Sequence, residues 1–237
     1  MDGTHLFNKS NSDVMGIVFE HQDMHYLAQG AMAFFSKLVD FHVTYSNLNY
    51  IQRNDFRHMK NLKIITLNNN NIERIPEDSF IDVTKLEFLS ISFNQIKSLP
   101  SNIFHTLSAL KGIYLNNNHL EEISHLVFKF NVNVDEVWLQ ENKLKFISKN
   151  FTSNLTKLVQ IYLAGNECID QNYTAFTPSK IQLFTTDIAN NCYSDCEPEI
   201  VKVSKCHEKY FELAKENEHL KKEILKLRNF MRSNLIV

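Results

Sequence analysis

The sequence predicts an α/β repeat solenoid, a horseshoe with a parallel concave sheet, followed by a C-terminal cap and a short coiled-coil helix. Three observations carry this reading. An apolar pattern ending in asparagine recurs every 24 residues, phenylalanine recurs at the same period elsewhere in each unit, and the last stretch switches to a heptad seam. A fixed period of this length marks units that cannot bury an apolar face alone and must stack on their neighbours.

Five units match almost without fault: Leu62-Ile65-Leu67-Asn70-Ile72, Leu86-Leu89-Ile91-Asn94-Ile96, Leu110-Ile113-Leu115-Asn118-Leu120, Val134-Val137-Leu139-Asn142-Leu144 and Leu158-Ile161-Leu163-Asn166-Cys168. The pattern resembles the leucine-rich repeat. Stepping back gives Leu38-Phe41-Val43-Ser46-Leu48, with serine in the asparagine slot, and then Val14-Ile17-Phe19-Gln22-Met24. Residues 14–168 therefore read as about seven units, the first two degenerate, as terminal repeats usually are. Residues 1–13 read as a disordered or truncated N-terminus, 169–206 as a cysteine-containing cap and 207–233 as the coiled-coil helix.

Within a unit the expected order is a short parallel strand, a turn and an irregular convex segment. The motif's apolar side chains point inward and its asparagine bridges neighbouring turns, pairing backbone groups that a tight bend leaves without partners. Phe56, Phe80, Phe104 and Phe128 fall in the convex half at 24-residue spacing, with Phe151 one position early. They look like the phenylalanine spine of 24-residue extracellular repeats.

Composition narrows the function. A net charge of -2 lacks the cationic excess that phosphate-driven nucleic-acid binding needs. No apolar run approaches the ~20 residues of a membrane helix. The five glycines assemble no phosphate-cradling loop, and no nucleophile elbow, zinc helix or calcium loop is present. The expectation is a protein without enzymatic activity or cofactor.

At the C-terminus, Tyr210, Leu213, Asn217, Leu220, Ile224, Leu227 and Met231 alternate three and four residues apart, leucine at d. That pattern favours two parallel strands, with the single asparagine at a fixing register. Glu216 faces Lys221, and Glu223 faces Arg228, of an aligned partner. The competing reading is an amphipathic helix folded back on its own cap.

Four cysteines permit three intrachain pairings. Cys168 occupies a core-facing slot of the last unit, and pairing it with Cys192 would seal the open end. Cys196 and Cys206 then pair locally, or one crosses to another chain. A zinc site on Cys192, Cys196, Cys206 and His207 fits no strong spacing. Disulfides imply an oxidising compartment, and Asn8, Asn150, Asn154 and Asn172 lie in N-x-S/T sequons. The first residues show no secretory signal, so an extracellular reading requires an incomplete N-terminus.

Alternation along a strand puts Val18, His42, Thr66, Ser90, Tyr114, Trp138 and Tyr162 in one outward-facing column. Three consecutive aromatics, about 5 Å apart, form a ladder centred on the only tryptophan. Phe88, Phe93, Asn116, Asn117, Asp135, Glu136, Gln140 and Glu141 surround it. Such residues favour a protein partner. A stacked sugar is the second possibility, and mutual covering of the rings the third.

The order of modules is more specific than the repeat. Repeats closed by a GNEC segment at Cys168, further cysteines and then a coiled coil resemble the secreted leucine-rich repeat immune proteins of mosquitoes and related flies. That resemblance implies a haemolymph factor that pairs through its cysteines and coiled coil with a like or related leucine-rich repeat chain. It also implies a complement-like thioester protein as partner, with Cys196 or Cys206 as the inter-chain cysteine. Fewer repeats, one short coiled coil and no visible signal segment depart from that pattern. The rival expectations are an extracellular adhesion, matrix or receptor-ectodomain protein and, more remotely, a reduced intracellular scaffold.

Overall fold

The computed structural model describes residues 13–27, 35, 37–148 and 150–192. Its strands are β1 (Gly16–Glu20), β2 (Asp40–Thr44), β3 (Ile64–Thr66), β4 (Phe88–Ser90), β5 (Gly112–Tyr114), β6 (Glu122–Ile123), β7 (Glu136–Trp138), β8 (Phe146–Ile147), β9 (Gln160–Tyr162) and β10 (Asn172–Thr174). One sheet runs in the order β1-β2-β3-β4-β5-β7-β9-β10. Its first seven strands are parallel, and every pairing steps by 24 residues, as Ile65 to Leu89 and Val137 to Ile161. The strand path is a solenoid of about six turns, and the register includes the degenerate first unit. The pair β6–β8 forms a second, smaller parallel sheet.

Each three-residue strand buries its middle residue, and β2 buries Phe41 and Val43 on either side of His42. Phe41, Ile65, Leu89, Ile113, Val137 and Ile161 are fully enclosed, while their strand neighbours are almost all half-exposed. Strand β1 is the exception: Ile17 and Phe19 are only half-buried against the core.

The asparagines connect the turns. Asn118 Nδ2 donates to the Ile91 carbonyl of the preceding turn at 2.9 Å and to Leu115 O in its own turn at 3.0 Å. Its Oδ1 accepts from Ile96 N at 3.1 Å. Asn94, Asn142 and Asn166 repeat this arrangement on Leu67, Leu115 and Leu139. Asn70 reaches Val43 O and accepts from both Ser46 N and Leu48 N. Ser46 does less, because its shorter hydroxyl accepts from Gln22 N at 3.2 Å but donates to Thr44 of its own turn.

On the convex side Phe56, Phe80, Phe104, Phe128 and Phe151 are all buried. Phe56 stacks on Phe80 at 5.6 Å, Phe104 on Phe128 at 5.8 Å, and Phe128 meets Phe151 at 6.4 Å. Single hydrogen-bonded turns such as Met59 N to Phe56 O and Leu107 N to Phe104 O carry the chain around these rings. The described convex segments contain no helix, because 24 residues shared with a strand and two turns leave too little chain for one. Buried Asn131 supports the spine from outside the motif, donating to Phe104 O and Leu107 O at 3.0 and 2.9 Å.

Helical structure follows the last unit. Helix α1 (Pro178–Asp187) is capped by Thr177, whose Oγ1 accepts from Lys180 N, and runs into a π-helical turn over Ile188–Cys192. Phe184 packs edge-on against Phe151 at 5.9 Å and Tyr173 at 5.0 Å, extending the aromatic stack past the repeats. A disulfide joins Cys168 to Cys192. Closing a loop of that length removes about 3 kcal/mol of unfolded-chain entropy in the polymer picture. Cys196, Cys206, His207, the seam from Tyr210 through Met231 and Asn8 lie outside the described residues. Among the described residues no helix is long and apolar enough to cross a membrane.

Asn118→Ala deletes four bonds, one of them a long one to Asn116 O, and leaves Ile91 O, Leu115 O and Ile96 N buried without that partner. The expected loss is about 3 kcal/mol, read from the urea midpoint by far-ultraviolet circular dichroism. An unchanged midpoint would show that the ladder does not couple the turns.

Candidate partner-binding face

The concave sheet carries two outward columns, one on each side of the buried middle residue. The first contains Asp40, Ile64, Phe88, Gly112, Glu136 and Gln160, and the second His42, Thr66, Ser90, Tyr114, Trp138 and Tyr162. The parallel register puts the three aromatics of the second column side by side. Tyr114 meets Trp138 edge-on at 5.2 Å and 77°, and Trp138 meets Tyr162 at 5.0 Å and 59°. All three rings are half-buried, so each covers part of its neighbour and keeps part of its surface open. The indole Nε1 of Trp138 is enclosed and makes no hydrogen bond.

Gly112 sets the depth of this face. A Cβ there would lie 2.7 Å from Tyr114 Oη and 2.9 Å from Phe88 Cδ1, so glycine lets both rings lie low across the strand. The sequence reading missed that role, and no local signal marks it, because Gly112 lies in the variable part of the motif. Tyr114 Oη donates to Glu136 Oε2 at 2.7 Å, and Tyr162 Oη donates to Gln160 Oε1 at 3.1 Å. Desolvation, reinforced by the Glu136 bond and the charges of Glu136 and Asp135, raises the Tyr114 phenol above its usual pKa.

The expected surroundings of the ladder separate into two groups. Asn116 and Gln140 turn inward: Asn116 is buried and accepts from Ser92 Oγ at 2.6 Å, and Gln140 Oε1 is enclosed without a partner. Phe88, Asp135 and Glu136 stay half-buried, and Phe93 and Glu141 reach the surface. Phe93 and Glu141 share a backbone feature with His21, Tyr45, Asn69, Asn117 and Gly165, spaced by 24 residues: all have φ between 51° and 72°. The left-handed turn lets this residue's N–H reach the next unit, as Phe93 N to Asn116 O at 3.0 Å and Glu141 N to Ala164 O at 2.8 Å. The conformation is costly for phenylalanine and glutamate and mild for asparagine and glycine, and its recurrence marks it as a requirement of the turn.

The charges are unevenly matched. Lys63 and Lys111 both reach Glu87, at 3.0 and 2.6 Å, and hold its carboxyl below the usual range, Lys111 most strongly. Asp135, Glu136 and Glu141 have no cationic partner among the described residues. No group of His, Cys, Asp and Glu able to hold a metal occurs among the described residues.

The described sequons fall on different faces. Asn150 is exposed and Asn154 half-buried, on either side of the spine residue Phe151. Asn172 sits on β10, antiparallel to β9 and opposite Tyr162, with Oδ1 accepting from Leu163 N and Ala164 N at 3.0 Å each. A glycan on Asn172 would therefore project beside the ladder, a position the repeat period does not reach.

The repeat now has a family match as well as a geometry. The leucine rich repeat family model matches residues 36–96 and 108–167, and its two-copy form matches 84–127. The chain belongs to the leucine-rich repeat family. No curated protein matches its sequence. Among solved structures this leucine-rich repeat chain is similar to the LRIM1/APL1C complex, at 22% identity and TM-score 0.58, over 61% of this chain and 27% of that one. It is similar to glycosylated Toll–Spatzle of Drosophila, described as a hub in development and innate immunity, at 19% and 0.60, over 65% and 24%. It is also similar to the TLR13–ssRNA13 complex, at 24% and 0.61, over 64% and 22%. The matches span about a quarter of those chains, and at these identities they establish a shared repeat fold.

A phenol whose folded pKa exceeds its unfolded value adds stability below pH 10, which is lost as pH rises through the folded value. Tyr114, and Tyr173 bonded to Asp187 Oδ2 at 2.6 Å, are both shifted upward, chiefly by desolvation. Wild type should lose thermal stability above about pH 10 more steeply than Tyr114→Phe/Tyr173→Phe. Parallel melting curves from pH 8 to about pH 11 test this, and identical slopes would contradict it.

Proposed function

We propose that this chain is a non-enzymatic, extracellular recognition protein of the innate-immunity type that binds a protein partner on its concave face. The half-open ladder of Tyr114, Trp138 and Tyr162 carries the reading. Aromatic rings with polar ends are the side chains most enriched at interface hot spots, and no described element lies over these three. Similarity of fold to LRIM1/APL1C and to Toll–Spatzle supports a protein partner, and the acidic residues beside the ladder would repel phosphates. The Cys168–Cys192 disulfide supports an oxidising compartment. A complement-like thioester protein is the partner that the family resemblance suggests. A matrix or receptor-ectodomain role would use the same face.

The proposal extends to the C-terminal segment: residues 169–206 end the solenoid, and residues 207–233 pair two like or related chains through Leu213, Leu220 and Leu227, clamped by Cys196 or Cys206. Its support is the heptad spacing with matched Glu216–Lys221 and Glu223–Arg228 contacts. Asn150, Asn154 and Asn172 are the proposed glycan acceptors among the described residues.

A photo-crosslinking residue at position 162, compared with one at convex position 105, tests the face in the fluid from which the protein is purified. Capture of a defined partner at 162, absent at 105 and lost in Trp138→Ala with little change in melting temperature, is the expected result. Equal capture at both positions would overturn the reading. For pairing, a doubled mass on non-reducing gels that disappears in a Cys196→Ala/Cys206→Ala variant is expected, and a monomer in both would refute the covalent dimer.

A further inference from the structure

We infer that the C-terminal half of the concave face takes an arginine side chain of its partner, the guanidinium lying on the Trp138–Tyr162 step within reach of Glu136 and Glu141. The inference rests on the concave-face reading above and names the chemistry of the anchor. Three independent features meet there. Tyr114, Trp138 and Tyr162 are tilted by 59–77° to one another, so they form a stepped surface with open π faces instead of one closed stack. Trp138 buries its N–H, which leaves the ring system, and not a hydrogen-bond donor, as what it presents to a ligand.

The second feature is charge. Lys63 and Lys111 are both drawn to Glu87, so neither neutralises Asp135, one step along the same column as Lys111. Glu136 is held by Tyr114 Oη through Oε2. The carboxylate of Glu141 lies over Gly165, where a Cβ would come within 2.6 Å of Oε1. Asp135, Glu136 and Glu141 thus stand without cations on the strand and flanking turns that carry Trp138, and a cation that lies on a ring while meeting a carboxylate satisfies both.

The third feature is shape. Gly112 keeps Phe88 and Tyr114 low, so the face has a shallow floor leading to the step, which suits an extended segment with one projecting side chain. Guanidinium is favoured over ammonium because it is planar, stacks on aromatic faces and still offers donors at its edge. A sugar would use the rings and leave the excess negative charge unanswered.

Trp138 is the only tryptophan, so its fluorescence reports this step alone. The test titrates the full chain, at roughly physiological ionic strength, with acetyl-Gly-Arg-Gly-Arg-Gly-amide, the same peptide carrying citrulline for arginine, and diacetylchitobiose. A saturable change with the arginine peptide only is expected. It should weaken roughly threefold in each of Glu136→Gln and Glu141→Gln, which keep an acceptor and remove the charge, and not in the convex control Glu77→Gln. An equal response to citrulline, a response to the sugar only, no response at all, or insensitivity to both glutamine variants would overturn the arginine anchor. If a partner still crosslinks at position 162, that failure leaves the concave face intact. If crosslinking also fails, both readings fall together.

Discussion

A solenoid of this pitch must turn its backbone through a full circuit every 24 residues without a helix to absorb the hydrogen bonds. Each circuit bends tightly just after its strand, inside the apolar interior, where water cannot reach the exposed N–H and C=O groups. An unpaired buried group costs about 1–3 kcal/mol, so several per turn would offset much of what stacking leucines contribute. One carboxamide, offering two donors and an acceptor at fixed geometry, answers this. Asn94, Asn118, Asn142 and Asn166 each donate to the carbonyl three residues earlier in their own turn and to one in the preceding turn. The strand register, the position of the left-handed residue and the alignment of the concave columns follow from holding successive bends in the same orientation.

Two stacks flank that ladder and serve different ends. On the convex side the phenylalanines are fully buried and make the solenoid's back. On the concave side aromatic residues in the same 24-residue register are only half-buried, because no described element lies above them. Chemically similar side chains are core on one face and surface on the other, decided by whether they point inward from the convex segment or outward from the strand. Helix α1 continues the buried stack through Phe184, and β10 continues the open face with Asn172 beside Tyr162.

The fold was legible because its determinants are periodic. Motif leucines, asparagines and spine phenylalanines repeat at one spacing, so alternation and period suffice to give the strands, their register and the inward or outward direction of each side chain. The Tyr114, Trp138 and Tyr162 column could be read for the same reason. What could not be read depends on contacts outside the period. Gly112 matters through the rings that cross it, Asn131 through carbonyls of the preceding turn, and Asn116 and Gln140 through inward rotamers that a polar residue does not announce. The antiparallel return of β10 follows the last repeat, where the spacing has no more to say.

Serine at position 46 makes the sequence of links between turns unequal. Where an asparagine side chain ties each pair of later turns with a donor and an acceptor directed backwards, the Ser46 side chain ties the turns of β1 and β2 with a single accepted bond. In a linear assembly whose stability is a sum of nearest-neighbour terms, the weakest link determines where the array parts under load. Pulled along its axis, the described solenoid should part between β1 and β2 as a discrete step before the later turns yield. Parting there would uncover Phe41 and Val43, a ready apolar surface of the same pitch on which another repeat could stack.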